Sequence, residues 1–348
     1  METILSAVRP QAAFHIGEST AVAAARRAGS EIARRLGFDE TRAGRVSLVI
    51  TEAATNIVKH AASGEILIRP VRSGDTAGIE ILAIDSGPGM ANLALNMQDG
   101  VSSAGTYGVG LGALRRLADE FDVHTAPGKG TVLCMTVWAG PVGAAAAWQI
   151  GAVCLPFPGE EVCGDAWAAS GDARTLHLMV ADGLGHGPDA ARASQAAAAV
   201  LDRHQELPPG AALHEAHGAL RATRGAAVAV ARLDTIAGEL CFAGVGNIAA
   251  SVFGINNRRQ MVSHNGIVGS NLRKVQEFVV PWSVDSMIVM CSDGLVTRWG
   301  LEDYPGLEMR HPSLIAAVLY RDFARKSDDV TVLVVRENRA LDVPGGHQ

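Results

Sequence analysis

Two side chains that could do chemistry together lie four residues apart, at Glu52 and Asn56. Apolar residues recur around them at helical spacing, which predicts a helix, and residues four apart in a helix project from one face. A carboxylate beside an amide oxygen suits a general base next to a ligand for a hard cation. An isolated pair of this kind is more often a solvated helix face, so its weight depends on the motifs that accompany it.

Two glycine-containing segments follow in the same half of the chain. Asp85–Gly89 (DSGPG) stands at the end of a predicted strand, where a buried aspartate can accept the amino group of a purine. Gly108–Gly112 (GVGLG) opens a predicted helix, and backbone N–H groups at a helix start can cradle phosphates. Taken singly, the first segment is a common turn, and the second lacks the preceding strand of a dinucleotide-binding motif.

Aspartates recur at the ends of predicted strands in the second half. They are Asp165, Asp182 (followed by Gly183), Asp293 and the adjacent Asp328 and Asp329. Each alone is typical of a turn or a cap. If the four positions converge in space, they offer the carboxylate and carbonyl oxygens that Mg²⁺ or Mn²⁺ take as ligands. Two such ions, about 3.5–4 Å apart, can hold a hydroxide in line with a phosphorus atom.

The first half is predicted to contain the helices and strands that these motifs need. Ser19 or Thr20 can cap a first helix that ends at Gly37, and Asp39 can cap a second that runs through Ala61. Two strands, a polar glycine-containing segment, a helix and two last strands follow. The predicted ranges include strands Glu65–Arg72, Ile79–Asp85 and Thr131–Trp138 and a helix Leu111–Phe121. Helices packed on one face of a mixed sheet form an α+β sandwich.

The second half changes to apolar, strand-like runs with few helices. The runs are Leu176–Val180, Ala226–Leu233, Leu240–Phe253, Ser286–Cys291 and Val330–Val335, with an alanine-rich helix after Pro188 and a hairpin turn at 234–239. This pattern favours a β-sandwich flanked by helices. We place the domains at 1–138 and 149–348, joined by a Gly/Ala/Pro-rich linker at 139–148.

Composition and charge exclude several classes of protein. The 348 residues suit two domains, and the net charge of −6, without a basic excess in either half, makes nucleic acid an unexpected partner. The uncharged stretch 130–159 is broken by three prolines and several glycines, so we expect no membrane insertion. The five cysteines form no CxxC pair and no signal peptide is visible, which predicts a cytoplasmic protein with reduced thiols and no zinc site.

Taken together, the motifs of the first half resemble the GHKL ATP-binding family. Over about residues 15–138 they look most like the anti-sigma-factor serine kinases of the RsbT switch-kinase type, in TEAATNIVKHA, EILAIDSGPGM, MQDGVSSAGTYGVGLGALRRLADEFDV and GKGTVL. The resemblance implies ATP with Mg²⁺, Glu52 as the base toward a serine or threonine hydroxyl of a partner protein, Asn56 as the magnesium ligand and Asp85 as the adenine-binding residue. It also implies a nucleotide pocket shaped by Gly87, Gly89, Gly108, Gly110, Gly112 and Thr131.

The second half resembles the SpoIIE/RsbX group of metal-dependent protein serine/threonine phosphatases, a PPM-type β-sandwich. The resemblance covers about residues 150–337 and is carried by CGD, VADGLGHG, RGAAVAVARLD, FAGVGNI, CSDGL and DDVTVLVV. It implies two Mn²⁺ or Mg²⁺ ions, bridged by Asp182, with the Gly183 carbonyl on one of them. Asp293 and Asp328 would complete the other site, and Asp165 would bind directly or through water. Asp329 is the weaker candidate of its pair, and His186 is given no catalytic role.

These resemblances predict a signalling protein with two opposed activities. One half would phosphorylate a STAS-domain partner, an anti-anti-sigma factor or a stressosome scaffold protein, and the other would remove phosphate from the same or a related partner. An alternative is an ATP-binding regulatory module that binds a partner and so switches the fused phosphatase without phosphorylating anything. A histidine-kinase-like protein is disfavoured because no phospho-accepting histidine on a dimerisation helix is visible. The sequence leaves the oligomeric state open.

Overall fold

The computed structural model describes residues 11–97, 110–143, 145–254 and 257–338, and the chain divides into two compact units. The first unit comprises Gln11–Gly143 together with Leu301–Arg321. The second comprises Ala144–Gly300 and the chain after Arg321, as far as they are described. The break at residues 143 and 144 lies inside the predicted linker 139–148. Residues 301–321, predicted as part of the second domain, pack with the first unit instead.

Fifteen strands and seven α-helices are defined in the described residues. The strands are β1 Ala12–Ile16, β2 Gly64–Ser73, β3 Thr76–Asp85, β4 Glu120–Thr125, β5 Thr131–Trp138, β6 Trp148–Leu155, β7 Asp165–Gly171, β8 Thr175–Gly183, β9 Ala226–Asp234, β10 Glu239–Val245, β11 Ala249–Gly254, β12 Asn257–Met261, β13 Phe278–Pro281, β14 Met287–Cys291 and β15 Val330–Glu337. The helices are α1 Ser19–Arg35, α2 Glu40–His60, α3 Leu93–Asn96, α4 Leu111–Leu117, α5 Gly187–Arg203, α6 Pro209–Leu220 and α7 Pro312–Phe323.

The first unit is built on one five-stranded sheet in the order β1-β2-β3-β5-β4. Every pair in it is antiparallel, so the predicted mixed sheet is corrected in this respect. Helix α2 begins after Asp39, whose carboxylate caps it by accepting the N–H of Arg42 at 2.7 Å. The apolar stripe of α2 is fully buried against the core, as its 3.6-residue period predicts.

The second unit contains two five-stranded antiparallel sheets, ordered β13-β10-β9-β8-β7 and β12-β11-β14-β15-β6. Their inner faces supply one apolar core, which includes Phe242, Ile288 and Leu333. A second core lies between the outer face of the first of these sheets and α5 with α6. Helix α5 is alanine-rich on its buried side, which lets it lie close to the strands. The predicted β-sandwich flanked by helices is confirmed.

Three local predictions differ from the structure. The run Leu240–Phe253 forms two strands, β10 and β11, which lie in different sheets because the chain turns at Gly246, where φ is +101°. Helix α4 ends at Leu117 rather than Phe121, because Phe121 pairs with Met135 in the sheet. The first helix is preceded by Glu18 at the N-cap position, and no side chain caps it.

Two expectations concerned the thiols and membrane insertion. All five cysteines are free, and the closest two, Cys154 and Cys163, have their sulfurs 3.7 Å apart. In the part of the chain that the structure describes, no helix combines the length and the apolar character needed to cross a membrane.

Candidate active sites

The first candidate site lies where β3 ends at Asp85, which is paired across the sheet with Gly64 of β2 and Thr131 of β5. One carboxylate oxygen, Oδ1, accepts the N–H groups of Gly87 at 2.8 Å and Thr131 at 3.2 Å. Among the described residues no donor reaches Oδ2, so this oxygen is the acceptor available to a ligand amino group. Burial raises the pKa of Asp85, and the two backbone N–H groups oppose that rise.

The glycines after Asp85 are required by close packing inside the protein. Gly89 has φ of +65°, and a Cβ there would clash with the carbonyl oxygen of Ala126. Ala126 lies in the turn between β4 and β5. This turn is bonded to the 85–90 segment, since the N–H of Gly128 donates to the carbonyl of Pro88 at 2.7 Å. This packing fixes the backbone beside Asp85, a structural reason for glycine that is independent of any bound nucleotide.

Glu52 and Asn56 are both half-buried on α2, whose C-terminal end lies beside the Asp85 segment. A Cβ at Gly87 would come within 2.7 Å of the Cβ of Ala61, the residue that caps α2. At a rise of 1.5 Å per residue, Asn56 and Glu52 lie about 8 Å and about 14 Å back along the helix from Ala61. Along α2, Asn56 therefore lies nearer than Glu52 to the end of the helix that approaches the Asp85 segment.

The second glycine segment is described only in part. Gly108 lies outside the described residues, so its predicted role stays a prediction. Gly110 occupies the N-cap position of α4, and Gly112 is buried in the first turn of that seven-residue helix. Thr131 is tied to the same end of the sheet, since its Oγ1 lies 3.1 Å from Oγ1 of Thr125.

The second candidate site begins with Asp165 and Asp182, which face each other in the antiparallel register of β7 and β8. The pairing continues to the residue just before β7, because the N–H of Gly183, at the end of β8, donates to the carbonyl of Gly164 at 3.2 Å. Gly183 is itself confined, because a Cβ there would clash with the backbone of Ala190 in α5. Only glycine therefore fits at this position.

The other sheet of the sandwich supplies the remaining carboxylates. Asp293 follows β14 and Asp328 precedes β15, and Ser292 connects these strands to the first pair. The Ser292 hydroxyl donates to Oδ2 of Asp165 at 2.6 Å and accepts the N–H of Thr331 at 2.9 Å. A single serine thus ties the Asp165 side chain to the strands that carry Asp293 and Asp328.

The carboxylates repel one another strongly. The pKa of Asp182 is raised to about 9 by burial first and then by the charges of its neighbours, in decreasing order Asp165, Asp293, Asp328 and Asp329. Burial also raises the pKa of Asp165 well above its ordinary value, and that of Asp328 to a lesser degree. All four aspartates predicted as metal ligands are therefore brought into one electrostatic cluster.

This cluster has the properties of a cation site. Oδ1 of Asp165 and Oδ2 of Asp329 are buried oxygens that no donor among the described residues reaches. Burying such oxygens close together is costly unless a positive charge compensates them. An all-oxygen set of carboxylates fits Mg²⁺ or Mn²⁺, in keeping with the ions that the sequence motifs imply.

One residue of this site was not singled out from the sequence, and another was ranked too low. Asn247, in the GVGNI stretch, donates from Nδ2 to Oδ2 of Asp293 at 2.6 Å and so orients that carboxylate. Asp329 is buried, and its Oδ1 accepts the N–H of Phe157 at 2.8 Å. The buried, unpartnered Oδ2 makes Asp329 a stronger candidate than its rank behind Asp328 suggested.

The raised pKa of Asp182 predicts a pH-dependent stability in metal-free protein. Between the ordinary value of 3.8 and about 9, the native state binds a proton that the unfolded chain does not, so stability falls as pH rises through this window. We expect the melting temperature to fall by roughly 5 °C from pH 7 to 8.5, and Mg²⁺ to raise it more at pH 8.5 than at pH 7. Calorimetry of the chelated protein measures both effects.

Asp182→Asn should flatten this slope, while Asp189→Asn, on the exposed surface of α5, should leave it unchanged. A slope that persisted in Asp182→Asn would assign the titration to another group.

The fold and sites define a two-part chain, a GHKL-type ATPase domain followed by a metal-dependent phosphatase-type β-sandwich. Residues 17–137 match the family described as histidine kinase-like ATPase domain, and residues 172–338 match the family described as stage II sporulation protein E (SpoIIE). The serine/threonine-protein kinase RsbT of Bacillus subtilis (strain 168) is 37% identical over 117 residues, which cover 34% of this chain and 88% of RsbT. The chain therefore belongs to the RsbT-like histidine kinase-type ATPase family through its N-terminal domain, and its C-terminal domain is of the SpoIIE type.

Two further likenesses agree with this assignment. The anti-sigma F factor of Thermoanaerobacter sp. (strain X514) is 31% identical over 101 residues, which cover 27% of this chain and 69% of that protein. A solved chain from work on the bacterial stressosome, described as a modular system adapted to control secondary messenger signaling, has 27% identity and a TM-score of 0.51. It covers 54% of this chain and 99% of its own length.

Proposed function

We propose that this protein is a bifunctional enzyme of a partner-switching pathway in the cytoplasm. The first unit transfers the γ-phosphoryl group of ATP to a serine or threonine of a STAS-domain partner. The second unit hydrolyses phosphoserine or phosphothreonine on the same or a related partner. The observation that carries the proposal is the convergence of Asp165, Asp182, Asp293 and Asp328 in a chain that also contains an RsbT-like ATPase domain.

In the kinase half, each residue has a role that its position supports. Asp85 accepts the adenine amino group with Oδ2, because Oδ1 is already used by two backbone N–H groups. Asn56 would hold Mg²⁺ near the phosphates, and Glu52 would accept the proton of the attacking hydroxyl. Phosphoryl transfer depends mainly on positioning and charge neutralisation, for which these few groups are sufficient.

In the phosphatase half, the carboxylates would hold the metal ions. Asp182, which the other acidic residues surround, would hold the ions together with the Gly183 carbonyl, Asp293 and Asp328. Asp165 is fixed by Ser292 and Asp293 by Asn247, so both carboxylates are oriented before an ion binds. When bound, two such ions supply the Lewis acidity that activates water and neutralises the phosphate.

The relatives support the class of partner. RsbT is a serine/threonine-protein kinase, and a further sequence relative is an anti-sigma F factor. The solved chain comes from work on the stressosome. A STAS-domain anti-anti-sigma factor or stressosome scaffold protein is therefore the substrate we propose for both halves.

The test is to incubate the purified chain with labelled ATP and STAS-domain proteins from the same gene neighbourhood. We expect label on a serine or threonine of one of them, and release of that phosphate when Mn²⁺ is added and ATP removed. EDTA should abolish the release, because oxygen-only sites hold these ions weakly. Absence of labelling would contradict the kinase half, and EDTA-resistant release would contradict the phosphatase half.

A further inference from the structure

The face of the first-unit sheet opposite α1 and α2 is covered by residues from far along the chain. Leu301–Arg321, here named the docked segment, belongs to this unit and contains most of α7. Eight consecutive residues at the start of α7, Pro312–Leu319, are buried. A helix that is buried on all sides is held by packing rather than by its own propensity, so the position of α7 depends on what it packs against.

Polar contacts fix the docked segment in one register on the sheet. The Ser313 hydroxyl donates to Oε2 of Glu80 at 2.5 Å, and Glu80 also forms a buried ion pair with Arg69 at 2.6 Å. The Tyr320 hydroxyl donates to Glu65 at 2.8 Å. Because Arg69 neutralises Glu80, the neighbouring Cys134 and His311 belong to this packed network rather than to a metal site.

The docked segment also reaches the nucleotide end of the sheet. Nη1 of Arg321 lies 3.3 Å from the backbone carbonyl oxygen of Asp85, whose carboxylate is the proposed adenine acceptor. The last residue of the docked segment therefore contacts the residue that is proposed to bind adenine.

In the sequence, the docked segment lies between two proposed metal ligands. It begins eight residues after Asp293 and ends seven residues before Asp328. Docking of the segment thus restricts the positions open to the two short connections, 294–300 and 322–327, that lead from it to these aspartates. The first connection is also bonded to residue 323, since the N–H of Val296 donates to the carbonyl of Phe323 at 2.9 Å.

We propose that the docked segment couples the two active sites, so that nucleotide bound at Asp85 raises the phosphatase activity. Bound nucleotide would order the end of β3, strengthen the Arg321 contact and hold the segment, which in turn keeps Asp293 and Asp328 in position for the metal ions. The coupling rests on the proposed nucleotide and metal sites. Coupling between two sites is reciprocal and typically five-fold or more in size.

The test uses the full chain with Mg²⁺-ADP, which fills the nucleotide site without phosphoryl transfer. At a fixed free Mn²⁺ concentration, ADP should raise the rate of p-nitrophenyl phosphate hydrolysis about fivefold. Amide hydrogen exchange of residues 314–319 should slow by a similar factor. Arg321→Met should bind ADP but lose both effects, whereas Arg259→Met, an exposed arginine on β12, should keep them. Tyr320→Phe, a milder change that removes the bond to Glu65, should weaken both effects.

The outcomes separate this proposal from the proposed function. If the chain hydrolyses no phosphate, the phosphatase assignment fails, and hydrogen exchange still decides whether nucleotide stabilises the docked segment. If calorimetry shows ADP binding while exchange and hydrolysis stay unchanged, the coupling is overturned. Equal responses of Arg321→Met and the unmodified chain, or failure of ADP to bind, would also overturn it.

Discussion

Replacement of Asp182 by asparagine should lower the hydrolysis of a phosphorylated STAS-domain protein, and of p-nitrophenyl phosphate, by at least about a thousandfold. Asp182 is the carboxylate whose pKa is raised by the charges of four other aspartates, so it lies close to all of them. Loss of this one carboxylate should disrupt both ion positions, and the neutral amide keeps the shape of the side chain. Steady-state rates across a Mn²⁺ titration measure the effect.

The matched control is Asp189→Asn, which changes the same side chain on the exposed surface of α5. It should retain the phosphatase rate, and both variants should still phosphorylate the partner. No phosphoenzyme should accumulate, because an activated water and no side chain is the proposed nucleophile. A covalently trapped phosphoryl group, or a fully active Asp182→Asn, would refute this half of the proposal.

The second large effect is expected at Glu52. Glu52→Gln should reduce phosphoryl transfer to the partner by about 10²–10⁴-fold, the range that a general base contributes. Nucleotide affinity should be preserved, because Asp85, the proposed adenine acceptor, lies beside the C-terminal end of α2, and Glu52 is about 14 Å back along the helix from Ala61 at that end by the rise per residue. Transfer of labelled phosphate and a calorimetric titration with ATP measure the two quantities.

Glu40→Gln, at the exposed start of the same helix, is the control and should leave transfer unchanged. Full transfer by Glu52→Gln would show that another group accepts the proton. If the unmodified chain binds ATP but labels no partner, the alternative of an ATP-binding regulatory module replaces the kinase assignment, and the phosphatase prediction stands by itself.

Much of the fold followed from local patterns. Strand β5, Thr131–Trp138, was predicted with the bounds that the structure gives, because a continuous apolar run and a preceding glycine turn act over a few residues. Asp39 capped α2 as expected, since an N-cap bond is made within three residues. The aspartates at strand ends were recognised for the same reason, as residue type and the end of an apolar run are local features.

Longer-range pairing was decided only by the tertiary structure. The run Leu240–Phe253 is mostly apolar, and the turn at Gly246 does not by itself indicate that the two halves belong to different sheets. Asn247 and Ser292 acquired their roles because they meet Asp293 and Asp165 across the fold. An asparagine or serine in a loop has no distinguishing pattern of its own, so these contacts are invisible in the sequence.

The clearest contrast is the segment 301–321. Its apolar helix follows the phosphatase motif at Asp293 and was grouped with it, since neighbours in sequence usually share a domain. The structure places it on the sheet of the first unit, where Glu80 and Arg69 form a buried ion pair that Ser313 completes. The sequence determined the chemistry of both sites, because motifs are local. The sheet against which α7 packs was decided by burial and polar pairing between residues more than two hundred positions apart, such as Ser313 and Glu80. Such residues become neighbours only when the chain folds.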